Sequence, residues 1–65
     1  MAERAVYEAG YVECLEGTRI HVIVMGGLVR IRGEGAMDAP QREAFAQLFV
    51  RACWLAGRAH ELVPP

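Results

Sequence analysis

The sequence predicts an α+β domain in which a three-stranded antiparallel β-meander is followed by one C-terminal helix packed on one sheet face (βββα). Two segments that alternate apolar and polar residues flank Gly26 and Gly27, and a glycine pair in this position is typical of a tight hairpin. A third alternating segment precedes them, and a segment with helical periodicity follows. The chain has 65 residues, which fits a single domain over residues 1–65.

The second and third strands lie in the stretch TRIHVIVMGGLVRIRGEG, residues 18–35. A two-residue loop at Gly26 and Gly27 pairs Met25 with Leu28, and this register assigns alternate residues to opposite faces. The face predicted to pack in the core contains Ile20, Val22, Val24, Val29 and Ile31. The outer face contains Arg19, His21, Ile23, Arg30, Arg32 and Glu34.

The first strand lies in VYEAGYVECLEG, and Gly10 predicts a weak or bulged middle. A three-residue loop at 15–17 pairs Glu13 with Arg19, whereas a two-residue loop would bury Glu13 at a cost in free energy. The chosen register also pairs Cys14 with Thr18, Val12 with Ile20, and Tyr11 with His21. It predicts a charge row of Glu13, Arg19 and Glu34, in which Arg19 is structural. Tyr7 is expected on the outer face with Tyr11.

The helix is predicted in MDAPQREAFAQLFVRACWLAGRAH, beginning near Ala39. Asp38 can cap it, Pro40 lies in the first turn, and Gln41 occupies the capping-box position. Gly57 could end the helix, but we favour continuation to about His60, because one interior glycine costs only about 1 kcal/mol. The stripe predicted to cover the sheet contains Phe45, Leu48, Phe49, Ala52, Leu55, Ala56 and Ala59.

Composition limits the functional classes. The net charge is −1 and all seven basic residues are arginine, so no overall basic field favours nucleic acid. No apolar run approaches twenty residues and no secretion leader is recognisable. We therefore expect a cytoplasmic protein that does not engage a membrane.

Residues with catalytic or metal-binding chemistry are few and form no known motif. Cys14 is expected on the core side and Cys53 beside the helix stripe, so both are predicted to be buried, reduced thiols. The spacing of Cys14, Cys53, His21 and His60 does not suit a zinc site. His21 is expected to be solvated or in an interface rather than a base, and the glycines of residues 33–35 are a weak phosphate motif. We predict no catalytic residue, cofactor or metal, and no enzymatic activity.

One candidate interface lies on the helix. Val50 and Trp54 fall one turn apart, roughly opposite the core stripe, with Arg58 nearby, and an exposed Trp flanked by Arg is typical of binding hot spots. This predicts a homodimer with Val50, Trp54 and Arg58 at the contact. The alternatives are that residues 62–65 fold over Trp54, or that Trp54 is partly exposed without a function.

A second candidate interface is the outer sheet face. Arg30 is predicted opposite Ile23, and Arg32 opposite His21, so neither arginine has a cross-strand carboxylate. Apolar groups share this face, where a purely solvated face would be polar. The residues predicted to bind a partner are Tyr11, His21, Ile23, Leu28, Arg30 and Arg32.

The predicted architecture resembles that of the integrase-type and AP2-type DNA-binding domains, which lay a sheet in the major groove. This resemblance implies that Arg30 and Arg32 reach base edges or phosphates and that Arg19 contacts the backbone. The net charge and the apolar neighbours favour a different function, a regulatory or inhibitory protein that docks on a larger protein. In size the chain is similar to anti-CRISPR proteins and other phage-encoded inhibitors. Sheet-mediated DNA binding and a subunit of a composite-site enzyme are the alternatives.

Overall fold

Three antiparallel strands form one sheet in the order β1-β2-β3, and one helix follows them and contacts all three. The structure is a computed structural model that describes residues 6–57. It confirms the predicted βββα architecture. The elements are β1 (Val6–Glu13), β2 (Arg19–Met25), β3 (Leu28–Arg32) and α1 (Ala39–Gly57).

The β2–β3 hairpin has the predicted register. Gly26 has a φ of 60°, and a glycine with positive φ at the first central position is typical of a type II′ turn, whose twist matches that of the strands. The predicted strand pairs are confirmed from Met25 with Leu28, next to the turn, to His21 with Arg32.

The β1–β2 hairpin also has the predicted register beyond its loop. The Cys14 N–H donates to the Thr18 carbonyl at 2.7 Å, and the next three pairs are Glu13 with Arg19, Val12 with Ile20 and Tyr11 with His21. The predicted irregularity in β1 is confirmed as a bulge between Glu8 and Gly10. A Cβ at Gly10 would lie only 2.9 Å from Cδ1 of Leu48, so the missing side chain lets the helix pack close to the bulge.

The bulge changes which face the start of β1 presents, and this corrects one prediction. Tyr7 pairs with Val24, which is buried under the helix, so Tyr7 belongs to the helix side of the sheet and not to the outer face. Val6 pairs with Met25 and takes an outer position instead. The physical reason is that one unpaired residue shifts the two-residue alternation of the strand.

The predicted pairing of Arg19 with Glu34 is wrong. β3 ends at Arg32, and Gly33 has a φ of 99°, which turns the chain out of the sheet before Glu34. The connection to α1 then crosses the end of the sheet, where the Leu15 N–H donates to the Ala36 carbonyl at 2.9 Å.

The helix begins as predicted. The Gln41 N–H donates to the Asp38 carboxylate and the Asp38 N–H donates to the Gln41 side-chain oxygen, both at 2.9 Å, which is the capping box. The structure describes α1 as far as Gly57. The predicted continuation to His60, with Ala59 on the core stripe and Arg58 near Trp54, lies outside the described residues.

The core is thin. Val22 and Val24 pack against Ala52 and Ala56 of the helix, so the helix contributes only alanine to the fully buried centre. Partly buried side chains around this centre are Ala9, Val29, Phe45 and Leu48. Within residues 6–57 no helix is long and apolar enough to cross a membrane.

Three predicted core positions are more exposed than expected. Ile31 is 41% exposed, because β3 is an edge strand and no further strand covers it among residues 6–57. Phe49 is 38% exposed, because the core centre lies at Ala52 and Ala56 and Phe49 falls at its margin. Cys53 is exposed while Cys14 is buried, and both thiols are free. The prediction of a buried thiol is therefore confirmed for Cys14 and wrong for Cys53, since the residue after Ala52 is rotated by about 100° away from the sheet.

Candidate interaction surface

The outer face of the sheet, turned away from α1, brings the predicted partner-binding residues together. Arg32 of β3 lies opposite His21 of β2, which lies opposite Tyr11 of β1, so these three form one row across the sheet. Arg30 and Ile23 form the next row, and Leu28 lies beside the turn. Alternation along each strand therefore places all six side chains on one surface.

The two arginines of β3 are the main charged feature of this surface. Arg30 and Arg32 are both exposed, and their cross-strand neighbours are Ile23 and His21. Across residues 6–57, neither guanidinium forms an ion pair with a carboxylate. The described part of the chain therefore leaves both charges without a carboxylate partner.

Apolar side chains lie directly beside these arginines. Val6, Ile23 and Met25 line a depression together with Arg30 and Arg32. Leu28, which pairs with Met25 beside the turn, is 64% exposed. The sequence prediction missed Val6. Gly10 was the available signal, because a bulge of one residue moves Val6 onto this face.

A second polar pair lies on the β1 side of the surface. The Glu8 carboxylate contacts Nδ1 of His21, and the His21 ring is tilted against Tyr11 with 5.7 Å between ring centroids. The sequence prediction also missed Glu8, for the same reason as Val6. Glu8 therefore engages His21 and, within residues 6–57, forms no ion pair with Arg30 or Arg32.

Arg19 has a partner different from the one predicted. Its guanidinium lies over the Tyr11 ring, 4.6 Å from the centroid, and it forms no ion pair with Glu13 or Glu34 in the described part of the chain. An exposed cation–π contact of this kind is worth about 0.5–1 kcal/mol. Within the described residues, Arg19 is thus engaged by an aromatic ring and not by the predicted row of carboxylates.

Replacing Arg19 by Gln is expected to lower the free energy of unfolding by about 1 kcal/mol or less. A double-mutant cycle with Tyr11→Leu, followed by urea unfolding, should give a coupling of about 0.5 kcal/mol. The matched cycle with Glu13→Gln should give none. Coupling to Glu13 and not to Tyr11 would restore the carboxylate explanation.

The other candidate interface lies on the side of α1 away from the sheet. Val50 is 68% and Trp54 57% exposed, and they line a shallow apolar depression with Ala46, Gln47 and Arg51. Arg58, predicted to complete this surface, and residues 62–65, the alternative cover for Trp54, lie outside the described residues. The structure thus presents apolar surface on two opposite sides of a small domain.

Residues 6–57 contain no group of three or more His, Cys, Asp or Glu side chains placed to share a metal ion. No protein-family model, curated protein or solved structure matches the chain. Function is therefore inferred from the surfaces of this chain itself.

Proposed function

We propose that this protein is a small, non-enzymatic regulatory or inhibitory protein that docks its outer sheet face onto an acidic surface of a larger protein. The observation that carries the proposal is the exposure of Arg30 and Arg32 beside Ile23, with no carboxylate paired to either guanidinium in residues 6–57. Arginine next to exposed apolar groups is the composition of binding hot spots.

The energetics of the sheet support this proposal. A cross-strand pair of Arg30 with Ile23 gains little for folding, and Arg32 faces His21, whose Nδ1 is already engaged by the Glu8 carboxylate. Leu28 is left largely in water as well. A partner that supplies carboxylates and apolar side chains would satisfy both kinds of group, and the charges would speed and orient its approach.

A protein partner fits this face better than DNA. Tight duplex binding draws on several phosphate contacts, each of which releases counterions. On this face Arg30 and Arg32 are the arginines available for phosphate, because Arg19 lies over the Tyr11 ring. Glu8 and Glu13 lie on the same face and would repel phosphate. The net charge of the chain is −1. If this face bound DNA instead, the affinity would fall steeply as the salt concentration rises.

A homodimer through the outer helix face is the second part of the proposal. Val50 and Trp54 would bury apolar surface that the thin core does not use, with Arg58 at the margin. Because this face lies on the side of the domain opposite the outer sheet face, a dimer would present two copies of the arginine pair. Two docking faces raise avidity toward a partner that repeats or is itself symmetric.

The test is a double charge reversal. Arg30→Glu with Arg32→Glu should leave the circular dichroism spectrum and the oligomeric state unchanged while abolishing capture of the native partner, identified by quantitative cross-linking in a native extract. The single reversal Arg30→Glu should also weaken capture. Its matched control, Arg42→Glu, changes net charge equally but lies on α1 outside the lining of the depression around Trp54, and it should retain the partner.

Two results would contradict the proposal. Full partner capture by the Arg30/Arg32 variant, with loss of capture in Trp54→Ala, would assign docking to the helix face around Trp54. A wild-type complex with nucleic acid that weakens by about a thousandfold between about 50 and 200 mM salt would assign the face to DNA.

A further inference from the structure

β3 is an edge strand of the sheet, and one of its two sides is unpaired among residues 6–57. The strand order β1-β2-β3 pairs β3 with β2 on one side only. Among residues 6–57, no backbone group from another segment hydrogen-bonds to its other side. An open strand edge is a template for pairing with an added strand.

Turn geometry identifies the backbone groups at this edge. In a two-residue hairpin the pair flanking the loop, Met25 with Leu28 here, is hydrogen-bonded, and bonded and non-bonded pairs then alternate along the ladder. Leu28, Arg30 and Arg32 therefore bond to β2. The N–H and C=O groups of Val29 and Ile31 point outward to the free edge.

The side chains of β3 define what an added strand should carry. Arg30 and Arg32 alternate along β3 with Val29 and Ile31, whose backbone groups face the edge. On the outer face, the two arginines would lie opposite acidic residues of an added strand. On the helix side Ile31 is 41% exposed although it pairs with the buried Val22, because β3 is the last strand. A neighbouring strand would therefore present apolar residues to that side.

A second copy of β3 does not satisfy this edge. An antiparallel pairing of two copies that keeps the faces matched must centre on Val29, Arg30 or Ile31. Each centre places arginines of both copies opposite or diagonal to one another on the outer face, and like charges in those positions destabilise a sheet. Charged side chains on an edge strand are a known protection against self-pairing.

We propose that the acidic partner binds by strand addition, with an extended segment of alternating acidic and apolar residues pairing along the free edge of β3. This inference rests on the proposed function, because it uses the same two arginines. Main-chain hydrogen bonds to Val29 and Ile31 would provide affinity, and carboxylates opposite Arg30 and Arg32 would provide selectivity.

The experiment uses the full chain and a blocked six-residue peptide of alternating valine and glutamate. At saturation, amide hydrogen exchange measured by NMR should slow by about tenfold or more at Val29 and Ile31. The matched peptide with lysine in place of glutamate should not bind. In the Arg30→Glu, Arg32→Glu variant the preference should reverse, so that the lysine peptide protects the same two amides.

The outcomes separate the two proposals. Binding of the glutamate peptide without slower exchange at Val29 and Ile31 would overturn strand addition and leave docking on the outer face standing. Absence of binding at millimolar peptide, or protection of both amides in the free protein, would also overturn strand addition. Failure of the proposed function itself would appear separately, as full partner capture by the Arg30/Arg32 variant.

Discussion

Replacement of Gly33 by Ala is expected to destabilise the domain by about 2 kcal/mol or more. Two costs add at this position. The φ of 99° is one that residues with a Cβ rarely adopt, and the new Cβ would press into the carbonyl oxygen of Arg19, which is backbone and cannot rotate away. For a domain of this length a total free energy of unfolding of about 3–10 kcal/mol is typical, so this loss is large.

Gly17→Ala provides a matched control for the Gly33 prediction. Gly17 has a similar φ of 86°, but a Cβ there would meet nothing within 4 Å. The Gly17→Ala variant should therefore lose only the conformational cost, about 1 kcal/mol, from its free energy of unfolding. Urea unfolding of both variants measures the difference. Equal losses would contradict the assigned role of Gly33, in which the chain leaves the sheet by passing against Arg19.

The sheet register was predictable because two turn lengths and the alternation of the strands constrain it together. A two-residue loop at Gly26 and Gly27 fixes β2 against β3, and the cost of burying Glu13 selects the loop at 15–17. The helix start was predictable because Asp38 and Gln41 satisfy each other's N–H groups through a local sequence pattern.

The remaining features depend on tertiary contacts that local pattern does not encode. Gly10 indicated a bulge but not the unpaired residue, so the positions of Val6, Tyr7 and Glu8 were missed. The observed partner of Arg19 differs from the predicted one for two reasons. Gly33 ends β3 before Glu34 can pair with Arg19, and the Tyr11 ring lies within reach of the guanidinium. The exposure of Phe49 and Cys53 depends on how the helix is rotated about its axis over the sheet. Sequence periodicity predicts this rotation only to within part of a turn.

The two surfaces of the candidate site differ in how they follow from the sequence. The outer sheet face is required by the register, so its six residues could be placed together from strand alternation alone. The helix face follows from where the core stripe lies, since Val50 is on the opposite side from Ala52 and Ala56. The domain has two layers, a sheet and a helix, and the two candidate faces are the outer sides of these layers. A partner on one face therefore leaves the other face accessible.

Trp54→Ala is expected to convert a micromolar homodimer into monomer. Val50 and Trp54 are exposed on one side of α1 around a shallow apolar depression, and a buried Trp anchor is typically worth about 2 kcal/mol or more. Loss of one such anchor raises the dissociation constant by about thirtyfold, and the substitution removes the anchor from both subunits, so the increase should be at least this large. Sedimentation equilibrium across a concentration series measures this shift.

Leu28→Ala is the matched control for the dimer prediction, because it also removes a highly exposed apolar side chain, but from the outer sheet face. It should leave the dissociation constant of the dimer unchanged, while Trp54→Ala raises it. If the wild type is monomeric at high concentration, or if Trp54→Ala leaves the dimer intact, the helix face is not a contact between copies. Loss of the dimer in Leu28→Ala alone would instead place the second copy on the outer sheet face, where it would compete with the acidic partner for Arg30 and Arg32.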